Sequence, residues 1–188
     1  CIRDSYYFAP QKALASDGGL WLAACSPSAL ERIERLSSAD RWCPAGLDLG
    51  LALANSRQQQ TYNTPSLATI FLAAETVEWI NNSGGLPWAE QRCLQSSGII
   101  YRWATDSSFA QPFVLDADQR SPVVCTVDFE GVDADTVSAV LRANGIIDTE
   151  SYRKLGRNQL RLATFPSVDP EDVEALCACI DYIVDALD

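Results

Sequence analysis

The sequence predicts an α/β protein built from two parts. Short apolar runs typical of strands occur near the start of the chain and again after residue 120, and stretches with apolar residues at helical spacing follow both. A polar, glycine-containing break at residues 81–85 separates the two groups. We therefore predict two domains, residues 1–82 and 83–188, and expect the second to be a small α/β layer with an antiparallel or mixed sheet.

The first elements are two strands and a helix. Tyr6–Ala9 and Leu20–Ala24 are short apolar runs, which predicts two buried strands that bracket a loop. Ser26 is a typical N-cap and Pro27 fits the first helical position, so a helix is expected to follow them. Its apolar residues recur on one face.

The stretch 40–62 shows no regular pattern and is expected to be irregular. Thr64 then fits an N-cap and Pro65 a first helical residue. The apolar residues that follow recur at helical spacing as far as the glycine break. These signals predict a long helix that begins directly after Thr64.

Five elements are expected beyond the break. They are a helix over 87–105, a strand within 121–129, a helix from its cap at Asp133 to Ala143, a strand within 158–165, and a terminal helix that starts at Asp169. The terminal helix has the clearest apolar stripe of the sequence.

Composition excludes several classes of function. The 188 residues include 14 basic and 25 acidic ones, for a net charge of −11, which disfavours binding to nucleic acid or to an anionic membrane. No apolar run is long enough to span a membrane. The seven cysteines form no CxxC pair and histidine is absent, so we predict no metal site, no Ser-His-Asp catalysis, and buried free thiols in the cytoplasm. The chain does not start with methionine, and we expect it to be part of a longer protein.

Lys12 lies where the first predicted strand stops and a glycine-bearing loop begins. The chain has only two lysines, against twelve arginines, so the use of a lysine at this position is unusual. Among apolar and small neighbours the amine is expected to be partly desolvated, which favours its neutral, nucleophilic form. A plain solvated loop lysine is the alternative.

Two further places could bind anions. Asn63 and Thr64 precede a helix, whose first N–H groups are free to bind an anion, although most such residues only cap. Arg161 lies between Leu160 and Leu162 in a predicted strand, where a guanidinium is expected to need a carboxylate or phosphate partner. The same stretch holds a cluster of cations that a solvated loop would also explain: Arg153, Lys154, Arg157 and Arg161.

Three stretches, in this order, resemble phosphoserine aminotransferase of the actinobacterial type: YYFAPQKALASDGGLWLA, QQQTYNTPSLATI and ANGIIDTESYRKLGRNQLRLATFPSVDPEDVEAL. The resemblance covers essentially the whole chain. It implies fold type I of the pyridoxal-phosphate enzymes, with a mainly parallel seven-stranded sheet in a large domain, a small C-terminal α/β domain, and a homodimer that shares its active sites. Residues 1–82 would then be the end of the large domain, and 83–188 the small domain.

The resemblance implies roles for four residues that contact the cofactor. Lys12 matches the lysine that carries pyridoxal phosphate covalently, and Gln11 matches a residue of the cofactor's phosphate pocket. Asn63 and Thr64 match the pair that reaches the phosphate bound in the neighbouring subunit.

It also implies a substrate site. Arg161 matches the arginine that binds the α-carboxylate of the substrate. Arg153 and Lys154 fall near residues that attract the substrate's phosphate, and Tyr152 stands where the family commonly has a histidine.

The implied activity is transamination between L-glutamate and 3-phosphohydroxypyruvate, giving O-phospho-L-serine and 2-oxoglutarate, in serine and also pyridoxine biosynthesis. Several family residues that hold the cofactor precede the lysine and are absent from this chain, so the 188 residues alone are expected to be inactive and to hold pyridoxal phosphate poorly. The alternatives are another class V aminotransferase, of the alanine or serine–glyoxylate type, and a non-catalytic α/β dimerisation module.

Overall fold

The computed structural model of the protein describes residues 4–152 and 155–187. The chain divides into two compact units, Cys1–Thr76 and Val77–Asp188. This division falls inside a long helix, slightly before the boundary that the sequence predicts at residue 82. The assignment of the two parts to the large and small domains of the family stays a prediction.

The first unit begins with a two-stranded ribbon. Strand β1, Ser5–Phe8, pairs antiparallel with β2, Leu22–Cys25. The two predicted strands are therefore present, but the expectation that they are buried is wrong for this chain. Within residues 4–76 the ribbon is a sheet of its own, so side chains such as Tyr7 and Leu22 remain exposed.

Two helices follow the ribbon. Helix α1, Pro27–Ser37, starts as predicted, with the Ser26 hydroxyl accepting from the backbone N–H of Ala29. Helix α2, Leu49–Ser56, lies in the stretch expected to be irregular. Its first leucines alternate with the period of a strand, which hides the helical signal. Gly50 permits close packing on α1, because a Cβ there would lie 1.8 Å from the Ser37 hydroxyl oxygen.

Helix α3, Leu67–Ser83, begins later than predicted. The carbonyl of Ser66 accepts the N–H of Ile70, so Ser66 rather than Thr64 stands at the N-cap position. Pro65 and Ser66 therefore precede the helix instead of forming its first turn. The predicted break is a single residue, Gly84, with φ of 126°.

The second unit contains a three-stranded antiparallel sheet. Strands β3, Ala110–Pro112, β4, Val124–Phe129, and β5, Gln159–Ala163, are arranged in the order β3-β4-β5. The two predicted strands are confirmed, and the sheet is antiparallel. The sequence did not reveal β3, which is very short and ends in a proline.

Three helices pack with this sheet: α4, Gly85–Asp106, α5, Ala134–Ala143, and α6, Pro170–Leu187. All three match predicted helices. The core between sheet and helices contains Ile100, Cys125, Val127, Val137, Leu141, Leu160, Leu162, Val173 and Ile180. The opposite face of the sheet carries the polar side chains of β4 and β5.

The described cysteines, Cys25 to Cys179, are all free thiols. Cys93, Cys125 and Cys177 are buried as predicted, and burial raises the pKa of Cys177 to about 12. Cys43 is exposed, contrary to the expectation. In the described ranges no helix is long and apolar enough to cross a membrane, and no cluster of three or more His, Cys, Asp or Glu could hold a metal ion.

Candidate functional site

Lys12 lies in a tight loop that follows β1. The N–H of Ala15 donates to the Lys12 carbonyl at 2.9 Å, and the N–H of Ser16 donates to the Pro10 carbonyl at 3.2 Å. Ala15 has a φ of 44°, in the left-handed region that residues other than glycine rarely adopt. The loop is therefore closed on itself, with Lys12 presented at its turn.

The same loop is attached to the first turn of α3. The Ser16 hydroxyl donates to the Thr69 carbonyl at 2.7 Å, and the Thr69 hydroxyl donates to the Gly18 carbonyl at 3.2 Å. Both side chains are buried, Ser16 with 7% and Thr69 with 1% of its surface exposed. Because buried hydrogen bonds resist breaking, Lys12 is held in place relative to α3. Small hydroxyl residues give no pattern in the sequence, so the sequence does not predict this attachment.

The Lys12 side chain itself is exposed, as is that of its neighbour Gln11. This differs from the expected desolvation, because the described residues around the loop do not enclose the amine. Within the part of the chain that the structure describes, no carboxylate forms an ion pair with Lys12. The exposed amine is accessible to a carbonyl compound.

Asn63 and Thr64 are also exposed and lie just before α3. The Thr61 hydroxyl donates to the carbonyl of Asn63, which bends the chain ahead of the helix. Among the described residues, neither Asn63 nor Thr64 hydrogen bonds to Gln11 or Lys12. The two predicted segments thus reach the same end of α3, and no hydrogen bond of the described residues joins these side chains.

Arg161 lies on β5, opposite Thr126 of β4. Its neighbours Leu160 and Leu162 point into the core, so Arg161 points to the other face of the sheet and is partly exposed. Its place between two core leucines therefore does not bury the guanidinium. Its guanidinium carbon lies 5.1 Å from the ring centroid of Tyr152. No carboxylate of residues 4–152 or 155–187 forms an ion pair with it.

Arg157 has a different environment, although it belongs to the same cationic stretch. Two of its guanidinium nitrogens bind the carboxylate of Asp128, and its guanidinium lies 4.6 Å from the centroid of the Phe113 ring. Burial of Asp128 opposes its ionisation, but hydrogen bonds from Arg157 and Gln159 outweigh that effect and lower its pKa. Arg157 is thus engaged within the fold.

Of the cationic side chains predicted to bind substrate, Arg161 lies among the described residues. Arg153 and Lys154 lie outside the described residues. Lys12 and Arg161 belong to different compact units.

Comparison with solved structures identifies the fold. A phosphoserine aminotransferase from Cytophaga hutchinsonii superposes with a TM-score of 0.85 at 20% identity, covering 95% of this chain and 49% of that one. The enzyme of the same name from Bacillus circulans subsp. alkalophilus gives 0.79 at 22% identity, over 98% and 48%. An alanine–glyoxylate aminotransferase from Nostoc sp. gives 0.76 at 21% identity, over 96% and 48%. The chain therefore has the fold of about half of these aminotransferases.

No family model matches the chain, but curated proteins with similar sequences do. A putative phosphoserine aminotransferase from Mycolicibacterium vanbaalenii is 56% identical over 185 residues, which is 98% of this chain and 50% of that protein. A phosphoserine aminotransferase from Nocardioides sp. is 57% identical over the same shares. The chain is thus homologous to phosphoserine aminotransferases and spans about half the length of these curated relatives.

Proposed function

We propose that this chain supplies the lysine-bearing half of a phosphoserine aminotransferase, which transfers the amino group of L-glutamate to 3-phosphohydroxypyruvate. The observation that supports this most directly is the 56% identity with a relative of that name over nearly the whole chain. The matched region covers 98% of this chain, so it includes both the motif around Lys12 and the motif around Arg161. The products would be O-phospho-L-serine and 2-oxoglutarate.

The residues around Lys12 fit pyridoxal phosphate as the cofactor. When bound, this group supplies an aldehyde that accepts amino groups and a ring that withdraws electrons from the substrate Cα. Lys12 would hold the aldehyde through its amine, which has no carboxylate partner within the described ranges and lies on a loop fixed to α3. Once displaced by the substrate, the same amine would carry the proton to and from Cα.

Gln11, Asn63 and Thr64 are proposed to bind the cofactor's phosphate. Gln11 is exposed beside Lys12, and Asn63 and Thr64 are exposed just before α3, so all three side chains are accessible to an anion. Following the resemblance, Asn63 and Thr64 would act in the site of a second subunit of a homodimer.

Arg161 is proposed to bind the α-carboxylate of the substrate. Its planar guanidinium can donate two parallel hydrogen bonds, and no described carboxylate already forms an ion pair with it. Arg153 and Lys154 remain candidates for binding the substrate's phosphate. Cytoplasmic location and a part in serine and pyridoxine biosynthesis follow from the same resemblance and are proposed with it.

A second candidate is a class V aminotransferase that acts on an unphosphorylated substrate. The specific observation in its favour is the fold shared with the alanine–glyoxylate aminotransferase from Nostoc sp., at a TM-score of 0.76. Fold similarity alone does not distinguish the two activities, because members with different substrates share this architecture. A non-catalytic dimerisation module is the third possibility and predicts no turnover at all.

Steady-state kinetics on the full-length protein tests the proposal, with L-glutamate as donor and 3-phosphohydroxypyruvate, pyruvate or glyoxylate as acceptor. We expect kcat/KM for the phosphorylated acceptor to exceed the others by about 100-fold or more, since its phosphate adds charged hydrogen bonds. Lys12→Arg should abolish turnover. A preference for pyruvate or glyoxylate would establish the second candidate instead.

Reduction with borohydride in the presence of pyridoxal phosphate tests the cofactor assignment independently. Mass mapping of the full-length protein should place the label on Lys12, and Lys12→Arg should remove it. Lys154 is the other lysine of this chain and is the alternative site of attachment. Labelling of Lys154 alone, or no labelling, would refute the assignment, and the 188-residue chain by itself is expected to show no turnover.

A further inference from the structure

The guanidinium of Arg161 rests on an aromatic ring. Its carbon lies 5.1 Å from the centroid of the Tyr152 ring, within the range of about 6 Å over which a cation and a ring face attract each other. Tyr152 is 52% exposed, so the pair lies at the surface of its unit. Within residues 4–152 and 155–187 no carboxylate lies within ion-pair distance of Arg161, and Glu150 is a carboxylate that it influences electrostatically.

The segment that carries Tyr152 is fastened at two points close by. The backbone N–H of Arg161 donates to the carbonyl of Thr149 at 3.0 Å, which joins the segment to β5. The carboxylate of Glu150 accepts from Nε of Arg142 on α5 at 2.6 Å. These attachments fix where the ring stands relative to the strand that bears Arg161.

A ring face and a carboxylate use different parts of a guanidinium. A ring stacked on a guanidinium covers its flat face, whereas all five N–H donors lie in the plane and point outward from its edge. Stacking therefore restricts the rotation of the side chain and leaves the edge available for an incoming carboxylate. Because less freedom is lost on binding, the ligand binds more tightly.

We propose that Tyr152 is a positioning residue, whose ring orients the Arg161 guanidinium for the α-carboxylate of both substrates. This inference rests on the proposed function of Arg161. It differs from a direct role of Tyr152 in binding the substrate's phosphate through its hydroxyl. The two roles separate in the variant Tyr152→Phe, which keeps the ring and removes the hydroxyl.

The first arm of the test observes the stack directly in the 188-residue chain. The Nε–H signal of Arg161, assigned by its loss in Arg161→Lys, should be shifted upfield by the ring current in the wild type and in Tyr152→Phe. In Tyr152→Leu it should return to the ordinary position of an arginine, with an unchanged circular dichroism spectrum. An unshifted signal in the wild type would overturn the proposal.

The second arm measures kinetics in the full-length protein. Tyr152→Leu should raise KM for L-glutamate and for 3-phosphohydroxypyruvate alike, by about 5- to 10-fold, with kcat within about twofold. Tyr152→Phe should stay within about twofold of the wild type for both. Tyr182→Leu is the matched control, since Tyr182 is a 76% exposed tyrosine on α6, and it should change neither KM.

Other outcomes decide against the proposal in distinct ways. A rise in KM for 3-phosphohydroxypyruvate alone in Tyr152→Phe would show that the hydroxyl binds phosphate. Unchanged KM values in Tyr152→Leu would show that the contact between ring and guanidinium has no effect on substrate binding. If the leucine variant misfolds, Tyr152→Gln provides the same test. If the wild type turns over neither substrate, both the proposed function and the positioning role are refuted. The NMR measurement would still report whether Tyr152 contacts Arg161, because it does not depend on activity.

Discussion

At the scale of single residues, the carboxylate of Asp128 is the centre of the polar face of the sheet. It accepts hydrogen bonds from Arg157 and from Gln159, the latter at 2.7 Å. These bonds lower the pKa of Asp128 below its ordinary value of 3.8, although burial acts in the opposite direction. The folded state therefore binds the Asp128 proton more weakly than the unfolded state does.

We predict that Asp128→Asn lowers the free energy of unfolding of the 188-residue chain by about 2 kcal/mol at pH 7. Because the pKa of the folded carboxyl is depressed, its contribution is complete above pH 4 to 5 and is lost as the pH falls through the folded pKa. Urea denaturation at pH 7 and pH 3 should show the wild type and the variant converging at the lower pH.

Asp148→Asn is the matched control for this experiment. Asp148 pairs with Arg142 at 3.3 Å, but its side chain is 80% exposed, so the ion pair contributes little. Its loss should change the free energy of unfolding by less than about 0.5 kcal/mol at either pH. A difference for Asp128→Asn that is equal at pH 7 and pH 3 would show that packing, rather than charge, explains its effect.

At the scale of elements, the loop of Lys12 and helix α3 form one connected piece through Ser16 and Thr69. We predict that Ser16→Ala destabilises this connection by about 1 kcal/mol, because the buried carbonyl of Thr69 loses its side-chain donor. Hydrogen exchange should become about fivefold faster at the amides of Ala15 and Ser16, which close the loop.

Ser38→Ala controls for the loss of a serine hydroxyl as such. The Ser38 hydroxyl also donates to a backbone carbonyl, that of Glu34 at 2.8 Å, but it is exposed at the end of α1. Exchange at Ala15 and Ser16 should be unaffected by this change. Equal effects of the two variants would contradict a specific attachment of the Lys12 loop to α3.

The elements also show which features a sequence can predict. Helix α5 was placed correctly because Asp133 caps it and Asn144 ends it, and both signals are local. Helix α2 was missed because alternating leucines such as Leu51 imitate a strand. Motifs propose Lys12 and Arg161 as site residues. The hydrogen bond between Ser16 and Thr69 depends on residues far apart in sequence, which no local pattern reveals.

At the scale of the whole molecule, the two units differ in how much apolar surface they bury. The second unit has a continuous core that includes Val127, Leu160 and Ile180, each fully buried. Among residues 4–76, the buried apolar side chains are Ala29 and Pro10, while large ones such as Trp42 are exposed. Since burial of apolar surface is the main source of stability, the second unit should be the more stable of the two.

Limited proteolysis of the 188-residue chain tests this difference. Trypsin should cut first after the exposed arginines of the first unit, Arg32, Arg35, Arg41 and Arg57, and leave a fragment that contains residues 77–187. We expect these cuts to be about tenfold faster than those in the second unit, which corresponds to roughly 1.4 kcal/mol in the free energy of opening. Mass spectrometry over a time course would identify the fragments.

Two isoleucine substitutions show whether the core of the second unit causes its resistance. Ile180→Ala removes a fully buried side chain and should destabilise that unit by about 2 to 5 kcal/mol, so that its fragment no longer accumulates. Ile70→Ala, at a position on α3 that is 38% exposed, should leave the fragment intact. Were trypsin to cut both units of the wild type at the same rate, the predicted difference in stability between them would be refuted.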